Sequence, residues 1–242
     1  MSQEMAGVNM RLEAGAVREL HWHQTAEGPG DLWYFPAGVP HSLQATAEST
    51  NGTEFLLVFP DGDFSEDSTF MLTDWTAHIP KEVLAKNFQV DISAFDNIPA
   101  TELYIFPSAP PTSNTAVSDP QGQVPQPYTY SFSQVAATPL SGGSVKIADS
   151  TTFNVSTQIA VAEVTVAPGA MSEGQGRITL FASSGNARTY NYQAGDVSYI
   201  PASYGHYVEN TGNTTLKFLE IFNTGKDISQ CGTFDMLIEG TL

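Results

Sequence analysis

Apolar positions along this chain gather in short runs: EFLLVF (54–59), IAVAEVTVA (159–167), RITLFAS (177–183), RTYNYQ (188–193) and TLKFLEIF (215–222). Rich in β-branched and aromatic residues and separated by turn-forming segments, they predict strands and a mainly β chain. One segment departs from this pattern. IPKEVLAKNF (79–88) reads as a helix, with Pro80 near the first turn, where a missing N–H is tolerated, and a shorter helix is expected around DISAFDN (91–97). Between Pro107 and Pro127 lie six prolines in twenty-one residues and a single charge, Asp119, which suits an extended connector. The expected organisation is therefore an N-terminal domain, 1–106, ending in short helices, a connector, 107–128, and a C-terminal domain, 129–242.

The two sides of the connector echo each other. GDLWYFPAGVPH (30–41) parallels GDVSYIPASYGH (195–206) with the same Gly-to-His interval, and each precedes a similar apolar strand, FLLVF (55–59) and FLEIF (218–222). Upstream, MRLEAGAVRE (10–19) parallels VTVAPGAMSE (164–173). A repeat with this internal order implies duplication of one β-unit, and strands alternating with Gly/Pro turns suit a small barrel or a two-sheet sandwich.

The length of 242 residues, with 41% hydrophobic, supports a buried core in one large or two modest domains. Twenty-six acidic residues against nine scattered basic ones give a net charge of −17, so no face neutralises a phosphate backbone and nucleic acid is excluded as a partner. The same charge repels anions at long range, so an anionic substrate needs a local positive centre. Cys231 is the single cysteine, which excludes an intrachain disulfide, a cysteine zinc site and a redox pair. No apolar run has the length of a membrane span, and the opening MSQEMAGVNMRLEAGA has no basic segment followed by an apolar one, so neither a membrane partner nor an export signal is expected.

Three of the five histidines fall within RELHWHQTAEGPGDLWYFPAGVPH (18–41). On a strand, residues two apart share a face, so His21 and His23 form a chelating pair while Trp22 points away. Glu27 has the same parity but lies roughly 13 Å beyond His23 on a straight strand, so the chain must bend if both are to reach one ion. His41 follows the turn signal Phe35-Pro36-Ala37-Gly38, which can bring a second strand back beside the first. Three imidazoles and one carboxylate would leave two positions open on an octahedral ion, a set better suited to Mn(II) or Fe(II) than to calcium or thiolate-seeking metals. The alternative is that these histidines decorate a strand or satisfy hydrogen bonds.

H-x-H-x3-E followed by G-D-x4-P-x-G-x2-H resembles the two cupin motifs. RLEAGAVRELHWHQTAE with GDLWYFPAGVPHSLQAT is similar to the two-domain oxalate decarboxylases of fungi and bacteria. The similarity continues through EFLLVFPDGDFSEDSTFMLTDWTAHIPKEVLAKNF and, past the connector, through IAVAEVTVAPGAM and YQAGDVSYIPASYGHYVENTGNTTLKFLEIFN, so it covers most of the chain. The resemblance implies an all-β double cupin of two jelly-roll barrels, with Mn(II), ahead of Fe(II), bound by His21, His23, Glu27 and His41. It also implies that Arg18 holds the substrate carboxylate, which would supply the positive centre; the alternative for Arg18 is a surface ion pair with Glu19 or another carboxylate. Ser65-Glu66-Asp67-Ser68-Thr69 resembles the family's mobile lid, whose glutamate, here Glu66, transfers the proton; read alone it is an acidic surface loop. In the implied chemistry manganese, with dioxygen as co-catalyst, removes an electron from oxalate, which loses carbon dioxide. A nearby carboxylic acid then gives formate, and without it oxidation with peroxide release competes. Relatives of this kind assemble into homo-oligomers.

Four features depart from the family pattern. Between Glu27 and Gly30 only Gly28 and Pro29 remain, where relatives carry roughly thirty residues, on the scale of a strand pair. Loss of a hairpin keeps the following strands in their original direction but exposes two edges unless another chain or a local rearrangement covers them, so incomplete barrels are expected. In the second half no HxH and no glutamate precede GQGRITLF, which leaves His206 alone; it is expected to be structural, as is His78 in a packing or capping role. The opening MSQEMAGVNM lacks the relatives' upstream arm, and the tail QCGTFDMLIEGTL does not resemble their helical end. Two functional expectations follow: an oxalate decarboxylase with one N-terminal manganese site, or a degenerate barrel acting as a metal-binding or interaction module. Peroxide as the main product would instead indicate an oxalate oxidase.

Overall fold

The computed structural model describes residues 4–22, 26–27, 31–48, 50–113, 122, 124, 127–168, 176–226 and 228. They form two compact units that divide between Ser131 and Phe132. In the first unit, β1 (Ala6–Leu12), β6 (Thr53–Phe59), β3 (Ala26–Glu27), β4 (Leu32–Phe35) and β9 (Thr129–Tyr130) make one sheet in the order β1-β6-β3-β4-β9. Strand β2 (Val17–Trp22) centres the second sheet, with β5 (His41–Gln44) along one edge and β7 (Phe70–Met71) and β8 (Ile105–Phe106) paired to it as well. Alternation builds the core: along β1, Met10 and Leu12 are buried while Asn9 and Arg11 are exposed. Together with Phe55, Leu57 and Phe59 of β6 they form the first hydrophobic cluster, against which Leu43, Phe64 and Ile105 pack.

The shortened segment after Glu27 is closed by direct pairing. Ala26 and Glu27 lie opposite Phe35 and Tyr34, and Glu27 also lies opposite Val58. Strand β4 then pairs on its other side with β9, Leu32 opposite Tyr130 and Trp33 opposite Thr129. Strands β3 and β4 are therefore each paired on both sides, so neither presents an open edge. The proline-rich segment contributes as well. Gly15, at φ +82°, lies so close to it that a Cβ there would meet Ser108 O at 2.2 Å and Pro110 N at 2.6 Å.

Helix α1 (Leu72–Ala77) follows β7 and is not foreshadowed by any sequence pattern noted above. Helix α2 (Lys81–Phe88) has Pro80 as its N-cap, buries Leu84, and ends at Gln89 in the left-handed conformation. The short helix expected near 91–97 is a 3-10 turn, Ile92–Phe95, capped by the Asp91 side chain on Ser93 N.

The second unit holds β10 (Thr138–Leu140), β11 (Gly143–Ala148), β12 (Ala160–Val166) and β16 (Leu216–Phe222) in one sheet, in that order. A second sheet has β13 (Gly176–Phe181) between β14 (Ala187–Tyr192) and β15 (Gly205–Asn210). Its core cluster gathers Val145, Ala160, Ala162, Val164 and Ile228. All five strand runs read from the sequence are strands here, as β6, β12, β13, β14 and β16.

Candidate active site

Strand β2 buries the wrong residues for a structural strand. Arg18, Glu19 and His21 are each 1% exposed, whereas Leu20 is 50% exposed. Charged side chains are almost never buried this deeply unless paired, so the strand has been built around polar contacts. A register shift between Arg18 and His21 in the β2–β5 pairing breaks strict alternation and lets residues of opposite parity be buried together.

That pairing sets His21 directly opposite His41, with ring centroids 4.3 Å apart. The Nδ1–H of His21 donates to Glu19 O at 2.5 Å, and the Nδ1–H of His41 donates to Val39 O at 2.9 Å. A carbonyl can only accept, so in the neutral form of each ring Nδ1 carries the proton and Nε2 the lone pair, the form in which imidazole binds a metal. Phe35 stacks on His41 at 3.9 Å and fixes its plane. Two such donors suit a divalent transition ion. Glu27 is described only by its backbone, in the sheet of β3 and β4, and His23 lies outside the described residues. Among the described residues no group of three His, Cys, Asp or Glu side chains is arranged to hold an ion.

Beside the histidines lies a cationic centre. Arg18 Nη1 donates to Met71 Sδ and to Tyr104 O, both at 3.3 Å, and Met71 is itself the cross-strand neighbour of His21. Arg18 Nη2 reaches Glu66 Oε2 at 3.4 Å, a carboxylate that also accepts from Thr69 Oγ1 at 3.4 Å. The contacts to oxygen are long, and among the described residues Arg18 Nε is buried with no hydrogen-bond partner. Burial pushes the guanidinium below its usual pKa, opposed by the neighbouring Tyr104, Glu66 and Glu19. A buried guanidinium held this loosely retains the capacity to take a further carboxylate.

Glu19 does not pair with Arg18. Its Oε1 accepts from the N–H and hydroxyl of Thr73, and its Oε2 from the N–H groups of Leu103 and Tyr104 at 2.9 and 3.0 Å. Burial alone would raise this carboxyl's pKa, but those hydrogen bonds outweigh it and hold Glu19 below the usual range. Tyr104 sits at φ +54°, a conformation that costs an aromatic residue on the order of 1 kcal/mol or more. Its ring lies 3.8 Å beneath the Arg18 guanidinium carbon. Burial, then the charge and hydrogen bonding of Glu66, push the Tyr104 hydroxyl up to about 12, against the opposing effect of Arg18.

The Cupin family model matches residues 27–94 and 137–237. Oxalate decarboxylase OxdC of Bacillus subtilis (strain 168) is 50% identical over 264 aligned positions, which span 92% of this chain and 68% of that protein. This chain belongs to the cupin oxalate decarboxylase family. A probable oxalate decarboxylase of Arthroderma benhamiae is a more distant member, 34% identical over 93% of this chain and 66% of its own length. A solved structure of Bacillus subtilis oxalate decarboxylase, concerned with its Mn(II) centres, is similar with a TM-score of 0.85 at 48% identity, covering 93% of this chain and 70% of that one. The all-β double cupin is therefore the fold of this family member.

Of the family's implied site residues, the structure brings together His21 with His41 and Arg18 with Glu66. It adds Met71 and Tyr104, which the sequence reading missed, and gives Glu19 and Thr69 contacts it did not assign them. Tyr104 belongs to the run ELYIF, which reads as an ordinary apolar segment; only the pairing of β8 with β2 carries it to Arg18. Glu19 left a faint trace, a carboxylate in a strand that already carried Arg18 and His21. His78 caps helix α1, its Nδ1 lying 2.7 Å from Asp74 O, and its side chain is exposed. In the second unit His206 Nδ1 lies 3.1 Å from Tyr204 O, and burial pushes the Glu220 carboxyl up, an effect reduced by the nearby His206.

Proposed function

We propose that this chain cleaves oxalate to formate and carbon dioxide at a manganese site in its N-terminal unit. The observation that carries the reading is the buried Arg18 guanidinium, which contacts the Glu66 carboxylate and shares strand β2 with His21, whose ring meets that of His41. In a protein of net charge −17 this is the local attraction that a dicarboxylate needs.

Arg18 binds one carboxylate of oxalate through its guanidinium edge and orients the carbon–carbon bond. The incoming anion competes with Glu66 for Nη2, so substrate entry loosens the contact that holds Glu66 in place. When the carbon–carbon bond breaks, one carboxylate leaves as carbon dioxide. The remaining carbon takes a proton from the Glu66 carboxyl and leaves as formate, and Glu66 recovers its proton from solvent through its 30% exposed side chain. The sum, oxalate plus one proton giving carbon dioxide plus formate, needs no net oxidant. His21 and His41, with His23 and the Glu27 side chain, would hold the manganese, which supplies charge stabilisation and one-electron chemistry with dioxygen when bound.

Purified protein given Mn(II) and oxalate tests this, with formate, peroxide and bound metal measured together. Formate as the main product with near one manganese per chain is the expected result. Peroxide as the main product would make the protein an oxidase, and little metal with no formate would leave a non-catalytic cupin module.

A further inference from the structure

Beyond Arg18 and Glu66, one more residue touches the cationic centre in a way that ordinary packing does not require. Tyr104 presents two groups to the same guanidinium: its ring, 3.8 Å below Cζ, and its carbonyl, 3.3 Å from Nη1. It offers both from a left-handed backbone, at φ +54°. An aromatic side chain does not choose that conformation, so the surroundings must impose it. Glu19 does so, since its Oε2 takes the N–H groups of Leu103 and Tyr104 while its own N–H donates to Tyr104 O at 2.9 Å. The neighbours of Arg18 in sequence and in space thus cooperate to hold Tyr104 in an unfavourable conformation.

We propose that Tyr104 is the positioning residue for Arg18: its ring and carbonyl fix the plane and rotation of the guanidinium, so that Nη1 is anchored and Nη2 stays turned toward Glu66 and an incoming carboxylate. The inference rests on the reading of Arg18 as the substrate-carboxylate holder. A cation over an aromatic face in a desolvated site is held strongly, and the ring restricts rotation that the Nη1 contacts to Met71 Sδ and the Tyr104 carbonyl alone would permit. Preorganisation of this kind shows chiefly in substrate capture.

The test is oxalate binding to the manganese-loaded 242-residue chain by calorimetry without dioxygen, so that turnover does not consume the ligand. Tyr104→Asn accepts the left-handed backbone but has no ring; it is expected to weaken oxalate binding by about tenfold or more. Tyr104→Phe keeps the ring and is expected to bind near the wild-type affinity. Wild-type affinity in Tyr104→Asn, or equal losses in Asn and Phe variants, would overturn the positioning role. Arg18→Ala separates the two readings: if it weakens binding while Tyr104→Asn does not, Arg18 stands and Tyr104 falls, and if it has no effect both fall. Should Tyr104→Asn not fold, Tyr104→His also tolerates the backbone conformation and offers a smaller ring, for which an intermediate affinity is expected and wild-type affinity is the overturning result.

Discussion

A guanidinium as buried as that of Arg18 needs compensation for lost hydration, and Tyr104, Met71 and Glu66 provide it only in part. The remaining capacity is what makes it a binding group. Arg18→Lys replaces a flat fork by a point charge that cannot lie on the Tyr104 ring in the same way. Its KM for oxalate is expected to rise roughly tenfold, in line with the loss of charge-assisted hydrogen bonds. Steady-state kinetics with an unchanged KM would remove Arg18 from substrate capture. Glu66→Gln keeps the size and the contact to Arg18 but cannot deliver a carboxylic proton. Formate production should fall about a hundredfold or more while bound manganese stays unchanged. A variant that still makes formate at the wild-type rate would show that the proton comes from elsewhere.

Among elements, β2 matters through its connections. Glu19 ties it to the start of helix α1 through Thr73 and to the segment before β8 through Leu103 and Tyr104. Because its folded pKa lies below the unfolded value, the Glu19 carboxylate stabilises the fold above the ordinary carboxylate range, and that contribution is lost as pH falls through the folded value. Glu19→Gln is therefore expected to destabilise the protein at neutral pH by about 2 kcal/mol. Denaturant curves of variant and wild type should converge as the pH drops; a constant difference down to strongly acidic pH would contradict the assignment. Strand β16 carries the opposite case. The Glu220 pKa is raised by burial, so its charged form opposes folding at pH above the unfolded value and ceases to do so below it. Glu220→Gln should raise Tm at neutral pH, with the gain shrinking as the pH falls toward the ordinary carboxylate value.

For the whole molecule, metal binding and folding are coupled if the donors meet only in the native state. Mn(II) at about a hundred times its Kd should add about 2.7 kcal/mol of stability and raise Tm. A chelator should reverse the shift, and His21→Ala or His41→Ala should abolish it. Differential scanning calorimetry that shows no manganese-dependent shift in the wild type would argue against a metal site in the N-terminal unit.

The strands were legible because alternation and β-branched composition are local properties, and β6, β12, β13, β14 and β16 lie where those runs stand. Pro80 likewise marked the start of α2, since a residue without an N–H fits a helix only at that end. His41 was legible as a histidine after a turn that could return a second strand, and antiparallel pairing across a register shift sets it opposite His21, whereas His23 lies outside the described residues. Helix α1 escaped because six residues carry too little periodicity to be read. Tyr104 escaped for a deeper reason. Its role depends on a left-handed backbone imposed by Glu19, eighty-five residues away in sequence, and on a guanidinium delivered by another strand. Sequence alone determined the residue types, the strand periods and the family; the tertiary structure decided which of those residues meet, because contacts between distant strands are set by register and burial, which no local pattern encodes.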